Sequence, residues 1–138
     1  MSVTSLSLLR SQVDGAHMNG SGPPRHYRMW AQRVARRRGR VVVHVEGELD
    51  ATAQPEFHAT LEHATRTRCH AVVVDLRAAR FLSLRCAATL LAAHDNAACH
   101  GTDVRVVVGR PAVERALEVT GVRAQCGRYA SIRAALDA

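Results

Sequence analysis

Cysteine, histidine and serine are the residues of this 138-residue chain best suited to chemistry, and two Cys-His pairs stand out, Cys69-His70 and Cys99-His100. Two thiolates and two imidazoles make a sufficient donor set for tetrahedral zinc. The first pair precedes an apolar run and the second closes an alanine-rich segment. If that segment is a helix running back along a strand, both pairs fall at the same end of the sheet. Adjacent Cys and His side chains on an extended chain point to opposite faces, which opposes a closed site. Cys69, His70, Cys99 and His100 are therefore secondary candidates, set against two part-buried thiols and two surface imidazoles, and no metal is assigned. Cys86 falls in the first turn of the same segment. There the helix dipole and Arg85 would favour a thiolate, against the simpler reading of a compact buried side chain. A metal- or redox-responsive sensor built on Cys69, Cys86 and Cys99 stays open as one function. Ser83 stands between strand and helix without a G-x-S-x-G elbow, and the later histidines, His94 and His100, sit toward the far end of the helix. No glycine-rich phosphate loop follows any strand. The sequence thus points to no enzyme and implies no cofactor.

These residues lie in one unit, His70 to Gly101. The run Ala71-Val72-Val73-Val74, closed by Asp75-Leu76, reads as a strand buried on both faces. Arg77 to Ser83 reads as a short connection. Leu84, Ala87, Ala88, Leu91 and Ala92 then recur at helical spacing and define an apolar face, with Gly101 as the stop. A buried strand that delivers the chain to a helix N-terminus is where open α/β sheets meet ligands and partners. Leu82 to Cys86 is accordingly the expected working end.

The rest of the chain supplies the frame. Residues 1–24, rich in Ser, Gly and Asn and closed by Gly22-Pro23-Pro24, read as a flexible tail, with 25–138 as one domain. His26 to Val34 is a poorly alternating first strand, and Arg36 to Arg40 a turn. Arg40 to Leu49 alternates Val41/Val43/Val45 against Val42/His44/Glu46, a second strand in an edge hairpin. Asp50 opens a helix with Pro55 and Glu56 in its first turn and Phe57, Leu61 and Ala64 on one face. Asp103 to Gly109 is a buried strand. Pro111 opens a helix with Val113, Ala116, Leu117 and Thr120 inward, stopped at Gly121. Residues 126–129 form a last short strand, and Ser131 caps a terminal helix. The order β-β-α-β-α-β-α-β-α predicts a single α/β domain, with a mixed, mostly parallel sheet of four to five strands and about four helices.

Composition narrows the partners. The chain is 47% apolar and carries a formal net charge of +7. Most of that excess sits in residues 25–40, where Arg25, Arg28, Arg33, Arg36, Arg37, Arg38 and Arg40 meet no acidic residue. The arginines crowd a predicted turn without interleaved aromatic pairs, so a solvated loop is favoured over nucleic-acid binding. No apolar stretch reaches the length of a membrane span, and the N-terminus lacks the basic lead of a signal peptide. The four widely spaced cysteines, with no C-x-x-C pair, suit reduced thiols in the cytoplasm.

From about Arg40 onward the chain resembles the STAS domain family of bacterial anti-sigma factor antagonists. Gly47-Glu48-Leu49-Asp50 with Pro55-Glu56 is similar to its G-E-L-D segment and the helix after it. Val72 to Leu76 is similar to its central strand, and Phe81-Leu82 to the lead into its switch. Val106 to Gly109, Pro111-Ala112-Val113, Leu117 to Gly121 and Tyr129 to Ile132 follow in order. The resemblance implies a non-catalytic regulator that docks on an anti-sigma factor, often a serine kinase, through Asp50, Thr52, Ser83, Leu84, Arg85, Cys86 and Thr89. It leaves a homodimer, a scaffold or a small-ligand (nucleotide) binding module open. In the family, phosphate enters at a D-S-[ST]-G motif and breaks docking by its added charge. Here that motif falls on Ser83-Leu84-Arg85-Cys86, with Arg85 at the phosphorylated position. The resemblance therefore implies a protein without the usual phospho-switch, in which Ser83 is a poor substitute acceptor.

Overall fold

The computed structural model describes residues 30–67 and 69–138, together with the backbone of Leu6–Leu8. Six strands follow one another across a single sheet in sequence order. They are β1 (Leu6–Leu8), β2 (Trp30–Arg37), β3 (Arg40–Leu49), β4 (Ala71–Leu82), β5 (Asp103–Val107) and β6 (Gly127–Tyr129). The β1/β2 and β2/β3 pairs are antiparallel, and β3 through β6 pair in parallel. A 3-10 turn (Ala51–Ala53) leads into α1 (Gln54–Arg66), and α2 (Leu84–Ala98), α3 (Pro111–Val119), α4 (Val122–Gln125) and α5 (Ile132–Asp137) complete the fold. A helix between each parallel pair is what parallel pairing requires, since the chain must return to the same end of the sheet.

The β3 alternation decides the layers. Val41, Val43 and Val45 share a face with Val72, Val74, Leu76, Val104 and Val106. Onto that face pack Phe57, Leu61 and Ala64 of α1, Cys86, Ala87 and Leu90 of α2, and Val113 and Leu117 of α3. The other face is covered only in part: Val42, Val73 and Val107 lie beneath Ala135 and Leu136 of α5. Arg105, buried on that face, donates to the Ala135 carbonyl at 2.8 Å and pairs with Asp103. Among the described residues no helix lies above the β2 and β3 side of the same face.

The structure departs from the sequence expectations in five places. The first strand is Trp30–Arg37 instead of 26–34, of which 26–29 lie outside the described residues. The turn shrinks to Arg38-Gly39, both at positive φ (50° and 78°), as a tight two-residue hairpin demands. Within the segment read as a tail, Leu6–Leu8 pairs with β2 and makes a sixth strand; the rest of 1–24 lies outside the described residues. Val122–Gln125 adds a helix, too short for periodicity to reveal. Most consequential, Arg77 to Leu82 is not a connection. It continues β4, because Glu46 to Leu49 of β3 offer it a partner, and Ala79 and Leu82 turn into the core. β5 stops at the level of Asp75, so beyond that point β4 is paired on one side only. Gly109 there runs so close that a β-carbon would stand 3.4 Å from the Arg77 backbone.

Core and tether should separate in unfolding experiments. Replacing fully buried Phe57 with Ala should cost about 3–5 kcal/mol in urea denaturation. Arg105→Ala, which frees the α5 carbonyl, should cost about 1.5–3 kcal/mol.

Candidate functional site

The carboxyl ends of β3 and β4 meet where α2 begins, and a short set of bonds welds them. The Ser83 N–H donates to the Leu49 carbonyl at 2.9 Å. The Ser83 hydroxyl accepts the Cys86 N–H at 3.1 Å, capping α2 as a serine before a helix commonly does. The Asp50 carboxylate accepts the Thr52 N–H at 3.0 Å and its hydroxyl at 2.6 Å, capping the 3-10 turn. The Cys86 thiol reaches the Asp50 carbonyl at 3.5 Å. Thr89 donates to the Arg85 carbonyl at 3.0 Å and receives Gln54 Nε2 at 3.0 Å, tying α2 to α1. The seven residues expected at the working end are thus brought together.

Their exposure divides them. Thr52, Leu84 and Arg85 face solvent, Asp50 and Ser83 are half-buried, and Cys86 and Thr89 are buried. Leu84 was expected inward; it is 54% exposed, and Phe81 is 46% exposed. The inward face of α2 is instead Cys86, Ala87, Thr89, Leu90 and Ala97. In a segment so dense in Ala and Leu, several rotations satisfy the same periodicity, and the Ser83 cap selects this one. The result is an apolar rim, Phe81 and Leu84, beside the Arg85 guanidinium.

Of the three thiols considered for a sensor, Cys86 is buried, Cys69 is part-buried and Cys99 is exposed. Burial pushes the Cys86 thiol above its ordinary pKa; the bond to Ser83 and the charge of Arg85 pull the other way and do not prevail. Of the two readings of Cys86, the compact buried side chain is the one observed, and desolvation outweighs the pull toward a thiolate. Burial also raises Cys69. All four cysteines are free thiols. Among the described residues no group of three or more Cys, His, Asp or Glu gathers as metal ligands, so Cys69, His70, Cys99 and His100 do not form one. His100 turns instead to the Asn96 carbonyl, and Cys99 to the Asp95 carbonyl.

A second cluster was missed by the sequence reading. On the uncovered face, His44 of β3 stands beside Asp75 of β4, with Nδ1 2.9 Å from Oδ2. Arg77 closes on the same carboxylate with Nε at 2.9 Å, Nη2 at 3.1 Å and its backbone N–H at 3.1 Å. Burial alone would raise the Asp75 pKa, but the bonds from His44 and Arg77 override it and hold the carboxyl far below the ordinary range. A groove of about 340 Å³ opens over this cluster, lined also by Arg33, Glu46 and Ala78. The His44/Glu46 alternation was the available signal, but it placed these residues on a face without saying that no helix covers it.

A family model described as "Mlab, STAS domain" matches residues 32–126. Among curated proteins no sequence matches the chain. Solved structures do. The crystal structure of an anti-sigma factor antagonist from Mycobacterium paratuberculosis is 26% identical, covers 78% of this chain and 92% of its own, and superposes with a TM-score of 0.72. A putative anti-sigma factor antagonist from Thermotoga maritima shares the fold at 14% identity and a TM-score of 0.68, over 75% of this chain and 90% of its own. The Bacillus cell fate determinant SpoIIAA in its phosphorylated form does so at 17% and 0.59, over 77% and 96%.

Two substitutions test the two clusters. Ser83→Ala should cost about 1 kcal/mol of stability and Ser83→Gly only a few tenths, read from the urea midpoint. Asp75→Asn should destabilise by about 1–3 kcal/mol at pH 7, discounted because Arg77 is half exposed. The native carboxyl titrates below its unfolded value, so its contribution is complete above about pH 4 and lost as pH falls further. The gap between variant and parent should therefore narrow in acid and hold steady from pH 5 to 8.

Proposed function

The chain belongs to the STAS domain family, and from that premise we propose that it is a non-catalytic docking module. In this reading it binds an anti-sigma factor or a related regulator in the cytoplasm and so modulates sigma-factor-dependent transcription, without the usual Ser/Thr phospho-switch. The observation that carries the reading is the junction itself. Phe81, Leu84 and Arg85 are exposed on a backbone fixed by the Asp50, Ser83 and Thr89 bonds. An apolar rim around a fixed guanidinium is a small hot-spot surface, suited to a partner that offers an apolar pocket beside a carboxylate.

The phospho-switch argument is local. A kinase acceptor must present a free hydroxyl. Ser83 is half-buried with its oxygen accepting the Cys86 N–H that caps α2, and Thr89 is buried and bonded on both sides. The family's phosphorylated position falls on Arg85, whose charge is opposite to phosphate. A partner that prefers the unmodified family surface would meet a permanently positive one here. The likeness to an anti-sigma factor antagonist at 26% identity supports the regulatory reading. Among the described residues no helix is long and apolar enough to cross a membrane.

Affinity capture from the native cell, with the parent chain and Arg85→Glu as baits, tests the docking surface. The parent should retain a sigma-regulating protein, and Arg85→Glu should lose it at least tenfold, about 1.4 kcal/mol or more. Retention by both baits would remove the junction from the interface. Incubation of the chain with a captured kinase and ATP should leave residues 83 and 89 unmodified by mass spectrometry; phosphate on either would overturn the absence of a switch.

A further inference from the structure

The uncovered sheet face carries a feature that docking at the junction does not use, and the inference drawn from it does not rest on that docking. Next to the groove over His44 lies a depression of about 470 Å³, lined by Arg37 and Arg38 of the hairpin turn, His44, Arg77, and Ile132, Arg133, Leu136 and Asp137 of α5. The two hollows adjoin, with His44 and Arg77 in both linings, and together make a trough across this face. Five guanidinium groups, Arg33, Arg37, Arg38, Arg77 and Arg133, line the two hollows against three carboxylates, Glu46, Asp75 and Asp137.

The chemistry of those groups is directional. Asp75 is nearly buried, and both its oxygens are used twice: Oδ1 by the Arg77 N–H and Nε, Oδ2 by His44 Nδ1 and Arg77 Nη2. A carboxylate filled in this way is a support rather than a ligand. It fixes the His44 ring with Nε2 turned away from Asp75, and it fixes the Arg77 fork with Nη1 still able to donate. No described residue is bonded to His44 Nε2 or to Arg77 Nη1. Arg37, Arg38 and Arg133 make no ion pair with any described carboxylate. Like charges that outnumber the carboxylates around a concavity disfavour one another, and an anion that bridges them relieves that cost. Guanidinium forks match tetrahedral and planar oxyanions by paired hydrogen bonds.

We propose that this trough is a binding site for a compact, multiply charged, phosphate-bearing small molecule. Its anionic group is received by Arg37, Arg77 and Arg133 around His44, and its uncharged part lies along Ile132 and Leu136. Size favours a small molecule, since a few hundred cubic ångströms suits one and not a nucleic-acid duplex. Composition agrees. Trp30 lies in the core on the opposite face, so no exposed aromatic platform stacks bases over the trough.

The test uses the full chain, labelled with 15N, and inorganic pyrophosphate as probe, with ionic strength held constant by sodium chloride. Pyrophosphate should produce saturable NMR shifts centred on the His44 ring and the Arg77 and Arg133 side chains. Arg133→Gln and Arg37→Gln, both exposed positions, should each weaken binding about tenfold. Arg115→Gln, exposed on α3 at the other face, should leave it unchanged. The proposal is overturned by any of three results. Shifts that do not saturate or that chloride alone reproduces would show only an ion atmosphere. Equal weakening by Arg115→Gln would show an effect of net charge. Displacement of pyrophosphate by lower concentrations of a hexaglutamate peptide would make the trough a surface for acidic protein segments.

Discussion

One strand that outruns its neighbour organises this molecule. β4 is twelve residues long and β5 is five. Over its first half β4 is sealed between β3 and β5 and between helices on both faces, and Val72, Val73 and Val74 have no exposed surface. Past Asp75 it has β3 on one side and, among the described residues, no strand on the other. A strand released in this way can alternate core and surface side chains, and it does so: Ala79 and Leu82 hold the core while Arg77, Arg80 and Phe81 reach solvent. The half-paired stretch therefore carries surface chemistry on a backbone as fixed as the core beneath it.

Both features with functional content grow from that stretch. Arg77 starts it, locked onto Asp75 at the last residue that β5 pairs. Phe81 stands near its end, one residue before Leu82 and two before the Ser83 cap. The trough and the junction are then two ends of one six-residue ribbon, on different surfaces. Each is fixed by a carboxylate bonded within the fold, Asp75 through both oxygens to His44 and Arg77, Asp50 through one oxygen to Thr52. In each case what is left facing outward is a guanidinium. This is the opposite polarity to a surface that has received phosphate.

Much of the frame was legible because it is written in buried apolar runs and caps. Val72 to Val74, the β3 alternation, Pro111 and Ser131 each act through their own neighbours, and such signals survive without tertiary context. Arg77 to Leu82 was not legible, since a strand paired on one side need not be apolar, and the partner that keeps it extended is some thirty residues upstream in β3. The rotation of α2 failed for the reverse reason: too many small apolar residues left the face degenerate, and Leu84 was placed inside. Cys86 shows how a local rule loses to burial, with desolvation of the thiol exceeding the pull of the helix start and of Arg85. The site at His44 was invisible in the sequence because nothing in β3 states that the helix covering the other strands stops short of it. At the junction Asp50 was legible as a helix-starting residue and Ser83 as the residue between strand and helix, because both act through their own neighbours, and the Arg85 departure needs only alignment to the family pattern.

Amide hydrogen exchange on the chain alone and in complex with its captured partner tests the central claim most directly, because it reports where contact is made without altering a residue. The account predicts added protection confined to residues 48–52 and 81–88, with 31–46 and the α5 segment exchanging as before. Protection on β2 or α5, with the junction unchanged, would contradict it.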